Sequence, residues 1–276
     1  MTAAGFARVF AVASLAALPV LVAAQPAARP FLPDPGEIGK DVMWVPSEDV
    51  MVARMLDVAR LTARDYLVDL GSGDGRVVIA AARRGARALG VEFNPDLVKY
   101  SAWKADQARV SGRARFVRGD LFQADLSGAS VITLFLLEEN NLKLRPKLLG
   151  LKPGTRLVSN SFSMGDWQPD RRLEAGVKEG CTAYCTAYLW VVPAQVEGTW
   201  QAEGGELTLK QSFQTVSGTL RAHGRETAVA GQLRGDRIAF AAGAAQYSGR
   251  VGRDIIKGAV KADGKSSAWK AMRKGA

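Results

Sequence analysis

Val68-Asp69-Leu70-Gly71-Ser72-Gly73-Asp74-Gly75-Arg76-Val77-Val78 runs from a short apolar strand through a glycine-dense turn and into an alanine-rich segment of helical pattern. Gly71, Gly73 and Gly75 let the backbone bend sharply and approach a ligand with no Cβ in the way, and the helix that follows offers free N–H groups at its start. A strand, a glycine turn and a helix in this order is the opening unit of a doubly wound α/β sheet. Turns of this kind also cradle dinucleotides, so the flanking acids decide the ligand class.

A dinucleotide fingerprint spaces its glycines G-x-G-x-x-G so that a pyrophosphate lies over the helix start. Here the spacing is Asp69-x-Gly71-x-Gly73-x-Gly75, with Asp69 and Asp74 in or beside the turn and Ser72 within it. Two carboxylates repel a pyrophosphate and suit a ligand that carries an ammonium and a sulfonium. Further acids extend the pattern. Glu92 ends the next apolar run about twenty residues past the first glycine, where a ribose diol is held. Asp120 follows a third run over 114–118 and is placed to accept from an adenine amino group, with Leu121 beside it. Together these features point to S-adenosylmethionine rather than a nicotinamide dinucleotide; the rival is a parallel sheet whose acids are incidental.

Beyond the turn, strand and helix patterns alternate: strand 87–91, helix 95–110, strand 114–118, strand 131–137, helix 142–149 and strand 156–159. Ligands in such sheets collect at the carboxyl ends of the strands. Asp69, Glu92, Asp120 and Glu138 all fall there on this reading.

Over 42–193 the chain resembles the class I S-adenosylmethionine-dependent methyltransferases. It is similar within them to the small protein-lysine methyltransferases related to the enzyme that N-methylates a lysine of the ATP synthase c-ring protein. The residues that carry the resemblance are Trp44-Val45-Pro46-Ser47, Asp69 to Arg76, Gly90-Val91-Glu92-Phe93-Asn94-Pro95, Gly119-Asp120-Leu121-Phe122, Leu134-Phe135-Leu136-Leu137, Asn141 to Pro146, and Met164-Gly165-Asp166-Trp167. The pattern departs at Glu138, where bacterial relatives carry Pro, and at Asn160, where they often carry His. The resemblance implies a Rossmann-like sheet, a bound methyl donor and a protein lysine as acceptor, with Trp44 and Pro46 at the rim of the site.

On the acceptor side, a lysine amine must lose a proton before it attacks, and an acidic or carbonyl-lined mouth can orient it. Glu138 and Asn141, after the fourth strand, are the candidates for that work; a solvated loop or helix cap is the structural alternative. Phe162 and Trp167, after the fifth strand, are candidates to close the pocket, against a role in the core. Methyl transfer demands no metal, and no Cys or His cluster of ligand spacing exists. The single His223 lies outside this region, so no histidine base serves it.

The first 24 residues show an early Arg8, an apolar run over 9–22 interrupted by Pro19, and the small-residue site Val22-Ala23-Ala24 before Gln25. This is the pattern of a secretory signal peptide, with export to a periplasm as the expectation and a membrane anchor as the outcome if the leader is kept. Residues 25–41, with four prolines, read as a linker. Ser47 reads as the cap of a helix whose apolar face holds Met51 and Met55. Cys181 and Cys185, taken as strand residues, would lie roughly 13 Å apart and stay unpaired; a disulfide would need a loop or helix there.

From 194 to 276 the pattern changes to short alternating runs broken by glycine, the sign of a small antiparallel meander or barrel. Of the net charge of +10, this region holds +6, from 13 basic and 7 acidic residues. Such charge suits an acidic partner or a peripheral contact with an anionic membrane, set against simple solvation. Few aromatics interleave the basic residues, so a nucleic-acid partner is not expected. The expectation is thus a methyltransferase acting on a protein lysine. Its rivals are a small-molecule methyltransferase on the same fold and a non-catalytic module that holds a nucleoside or a partner.

Overall fold

The computed structural model describes residues 1–2, 28–37, 40 and 43–275. The expected leader and the first residues of the linker, Met1 and Thr2 apart, lie outside the described residues. No helix among the described residues is long and apolar enough to cross a membrane.

The first unit is a seven-stranded sheet flanked by helices. In chain order it comprises α1 (Asp49–Val58), β1 (Tyr66–Leu70), α2 (Arg76–Arg83), β2 (Arg87–Glu92), α3 (Pro95–Gln107), β3 (Ala114–Arg118), β4 (Val131–Leu134), α4 (Glu138–Leu149), β5 (Arg156–Asn160), β6 (Arg171–Glu174) and β7 (Thr186–Val191). The strands are ordered β3-β2-β1-β4-β5-β7-β6. The first five are parallel, whereas β7 runs antiparallel to β5 and β6 antiparallel to β7. This is the doubly wound sheet that the alternating pattern implies, in the Rossmann-like form that the family resemblance implies. Because β2 lies on one side of β1 and β4 on the other, chain connections diverge at β1 and open a crevice at its carboxyl end. Leu67, Val68 and Leu70 on β1 and Val131, Ile132 and Leu134 on β4 are fully buried, as central strands covered on both faces require.

Three local expectations are corrected. The fourth strand ends at Leu134 rather than 137 and the helix begins at Glu138 rather than 142, so Glu138 and Asn141 occupy the first turn of α4. The cap of α1 is Glu48, which makes no side-chain cap bond, because the Ser47 hydroxyl instead accepts from buried Asn160 Nδ2 at 3.2 Å. Cys181 and Cys185 form a disulfide with their Cα atoms 5.8 Å apart. They are not strand residues: β7 starts only at Thr186, and the left-handed Gly180 (φ 87°) and Tyr184 (φ 56°) fold the chain into a tight loop.

The second unit is a closed antiparallel barrel of β8 (Gly198–Ala202), β9 (Gly205–Ser212), β10 (Thr215–Ala222), β11 (Arg225–Arg234), β12 (Arg237–Ala242), β13 (Ala245–Val251), β14 (Ile255–Ala262) and β15 (Lys265–Arg273). Pairing of Ala271 with Ala202 closes the ring and removes its edges. Two-residue turns such as His223-Gly224 and Asp263-Gly264, left-handed at both positions, match the twist of the hairpins they join. The interior is filled by Trp200, Leu209, Val229, Phe240, Ile256 and Trp269.

The β9–β10 hairpin docks the barrel on the sheet. Phe213 stacks on Trp167 with ring centroids 5.7 Å apart and planes 9° from parallel, and Trp167 Nε1 donates to Gln214 Oε1 at 2.9 Å. Trp167 is 1 % exposed, and its carbonyl accepts from Trp190 Nε1. It therefore joins the two units and does not line the pocket; its expected place against a substrate is corrected on this point.

Candidate functional site

At the carboxyl ends of β1, β2 and β3 the sheet opens into one pocket, walled in part by Asp69, Gly71, Ser72, Gly73, Asp74, Glu92, Asp120 and Leu121, and also by Trp44 and Pro46 from the segment before α1. The acids come together because each stands at or just past the end of a parallel strand. Gly73 is left-handed (φ 52°), and a Cβ there would fall 2.5 Å from Trp44 Nε1, so the indole lies directly on the bare turn. Gly75 has a different role. A Cβ on it would meet Phe116 at 2.7 Å and Ser101 at 2.8 Å, so it seats α2 against the neighbouring elements. Among the twelve cofactor and rim residues singled out in the sequence, it is one of two that do not line this pocket, the other being Trp167.

The carboxylates differ in what already holds them. Asp69 is 5 % exposed, and burial pushes it up to about 7; the Thr133 hydroxyl, donating to Oδ1 at 2.6 Å, works against this, and the charges of Glu92 and Asp74 add to it. Glu92 accepts from Gly73 N–H through Oε2 and from Asn94 N–H through Oε1, both at 2.9 Å, so each oxygen keeps a free lone pair. Asp120 lies below the usual carboxylate range because Lys40 Nζ donates to Oδ2 at 2.5 Å and Phe122 N–H to Oδ1 at 2.9 Å.

Asp74 is different again. Burial would raise it, but a two-pronged bond from Arg76 (2.9 and 3.0 Å) and one from Lys104 (2.8 Å) hold it low. These two cations offset much of its charge, although it lines the pocket and its field still reaches Asp69. Asp74 therefore stands at the pocket wall as one member of an ion-paired group with Arg76 and Lys104. Arg76 stands within the quoted turn but carries no predicted role there; Lys104, thirty residues away, has no local signal.

On the acceptor side the expected residues are not at the pocket wall. Glu138 is exposed at the start of α4. Asn141 is fully buried, and its Nδ2 donates to Ser159 Oγ (3.3 Å) and to the carbonyls of Phe162 (3.3 Å) and Ser163 (3.1 Å), which ties down the loop after β5. Phe135, quoted from the sequence without a role, does line the pocket.

The pocket fits a nucleoside with a cationic tail on its own chemistry. The turn is a cradle that a Cβ at 73 would fill, the buried Ser72 hydroxyl lacks a hydrogen-bond partner among the described residues, and Glu92 retains acceptor capacity for a diol. Among the described residues no group of His, Cys, Asp and Glu could hold a metal ion.

Comparison with known proteins agrees with this geometry. The ANTKMT methyltransferase domain matches residues 69–171, from the end of β1 to the start of β6. A protein-lysine N-methyltransferase of Saccharolobus islandicus is 40 % identical over 154 residues, 55 % of this chain and 94 % of that protein. The Homo sapiens lysine N-methyltransferase of the ATP synthase c-ring protein is 35 % identical over 158 residues, 57 % of this chain and 67 % of its own length. A crystal structure of an RNA methyltransferase from Salinibacter ruber, in complex with S-adenosyl-L-homocysteine, superposes with a TM-score of 0.51 at 48 % identity, covering 55 % of this chain and 96 % of that one.

Proposed function

We propose that this chain, which belongs to the S-adenosylmethionine-dependent protein-lysine N-methyltransferase family, transfers a methyl group to the ε-amine of a protein lysine. Family membership makes it a methyltransferase that uses S-adenosylmethionine; the acceptor is our reading. The observation that carries it is the shared pocket: a bare glycine turn, Asp69 and Glu92 on one side, and Phe135 at the edge where an acceptor would enter.

In this reading Gly71, Ser72 and Gly73 present main chain to the donor, Asp69 faces its positive charge, Glu92 takes the ribose hydroxyls, and Asp120 with Leu121 takes the adenine. The donor would supply a methyl carbon already activated by its sulfonium: the lysine ammonium first gives a proton to water, and its amine lone pair then forms the N–C bond as the C–S bond breaks, leaving a methylated ammonium. What the protein has to contribute is alignment and exclusion of water. Trp44 over Gly73 and Pro46 beside it close the donor side. Asn141 acts at one remove, through the loop it holds, and Glu138 serves at most as an outer charge.

Export to the periplasm belongs to the same proposal. The leader pattern over 1–24 supports it, and a Cys181–Cys185 disulfide is at home in an oxidising compartment. The basic barrel then offers a peripheral contact to an anionic membrane surface near the acceptor.

A nucleic-acid acceptor is the second reading, favoured by the name of the Salinibacter ruber protein. The lysine N-methyltransferases to which the chain is similar favour a lysine acceptor over it. Incubation of the protein with labelled donor and whole-cell fractions, followed by acid hydrolysis, separates the readings. Label recovered as Nε-methyllysine supports ours; label confined to RNA or to small molecules refutes it.

A further inference from the structure

Three aromatic rings from distant parts of the chain meet beside the pocket. Phe135, just past β4, lies 5.1 Å from Tyr184 edge-to-face and 6.2 Å from Phe162, and Phe162 lies 6.0 Å from Tyr184. Phe135 also lines the donor pocket, so the cluster adjoins that cavity through this ring. Tyr184 is 46 % exposed, which leaves part of its ring open to solvent.

Each ring is held by a specific constraint. The carbonyl of Phe162 is gripped by Asn141 Nδ2, buried beneath it. Tyr184 stands in the short loop closed by the Cys181–Cys185 disulfide and takes a left-handed backbone (φ 56°), which a tyrosine adopts only when its surroundings impose it. The same loop reaches α1 through Thr182 Oγ1, which donates to Glu48 Oε1 at 3.4 Å. A carboxylate therefore sits beside the loop that carries the outermost ring.

We propose that Phe135, Phe162 and Tyr184 form the wall that receives the acceptor's lysine side chain, and that the Cys181–Cys185 disulfide sets the position of Tyr184 in that wall. The inference rests on the lysine reading above. Ring faces bear the negative part of the aromatic quadrupole and attract an alkylammonium, while the methylene stem of lysine packs on the same apolar surface. The methylated amine stays cationic, so the wall serves arriving substrate and successive methylation states alike. Lysine, unlike phosphate or a neutral metabolite, brings both a cation and an apolar stem to the rings.

The test uses the full chain, saturated with S-adenosylhomocysteine and carrying 13C-labelled aromatic rings. It is titrated with Nα-acetyl-Nε-trimethyllysine methylamide and, in parallel, with the uncharged isostere that has tert-butyl in place of trimethylammonium. We expect the Tyr184 and Phe162 ring signals to move with the charged probe and to respond far less to the isostere. Tyr184→Leu should weaken the charged probe by about fivefold, within the range a cation over a ring contributes. Tyr184→Phe should restore it, and reduction of the disulfide should weaken it as Tyr184→Leu does.

Rings that stay silent, equal response to the isostere, or an unchanged affinity in Tyr184→Leu or after reduction would overturn the proposal. Calorimetric titration of S-adenosylhomocysteine separates this from the underlying reading and also confirms that each variant is folded. If the wild-type chain fails to bind S-adenosylhomocysteine, the donor pocket is misassigned; if it binds while the rings stay silent, only the wall is.

Discussion

Asp69→Asn offers the sharpest perturbation, because one buried carboxyl links the pocket to the stability of the sheet. Raising this group from 3.8 to about 7 corresponds to a penalty on the order of 4 kcal/mol against its ionised form. The folded state binds this proton more tightly than the unfolded chain does, so the contribution is fully present below about pH 4 and is lost as the pH rises to about 7. Asparagine is nearly isosteric, and its amide oxygen can still accept the Thr133 hydroxyl, so it removes the titration without opening a cavity. Urea unfolding of the ligand-free proteins should show wild type losing about 3 kcal/mol relative to the variant between pH 5 and pH 8. Donor binding should run the opposite way, since a cationic ligand selects the ionised carboxylate. Calorimetry should find S-adenosylmethionine bound about tenfold more tightly by wild type at pH 8 than at pH 6, with no such slope in the variant. A stability difference that stays flat across this range, or a variant that keeps both the donor affinity and its pH slope, would refute the argument.

Other substitutions probe separate parts of the site. Gly73→Val puts a branched side chain where Trp44 already lies and forces a β-branched residue to φ 52°, so S-adenosylhomocysteine binding should disappear in calorimetry while the circular dichroism of the sheet and barrel is kept. Asn141→Ala strips the carbonyls of Phe162 and Ser163 of a buried donor; thermal unfolding should show a loss of about 1–3 kcal/mol, with donor affinity changed less than the apparent affinity for acceptor. Trp167→Ala removes the ring packed between Phe213 and Trp190, and should cost about 3–5 kcal/mol of stability and loosen the barrel to limited proteolysis, leaving the affinity for S-adenosylhomocysteine in the folded fraction unaltered.

The donor side was legible in the sequence for a physical reason. In a parallel sheet a ligand binds where strands end, so the last residue of each apolar run is a functional position, and Asp69, Glu92 and Asp120 could be found by locating those ends. The bare turn was legible because no residue other than glycine serves there. The acceptor side was not, since it depends on where β4 stops and α4 starts: a shift of three or four residues took Glu138 to an exposed helix start and Asn141 into the core. The ion pairing of Asp74 was only half legible, because Arg76 is next to it but Lys104 is a helix away, and only packing of α3 brings the second within reach.

Local periodicity and glycine spacing were thus enough, by themselves, to specify a doubly wound sheet with a donor cup and a β-rich unit after it, because those signals are short-range and repeat along the chain. Tertiary structure alone decided the rest: that the barrel closes through β15 and β8, that Trp167 binds the two units together, and that Cys181 meets Cys185. It also brought Phe135, Phe162 and Tyr184 to one spot. Each of these is a contact between segments whose separation in sequence, or whose turn geometry, leaves no periodic trace, and only the folded chain brings them within bonding distance.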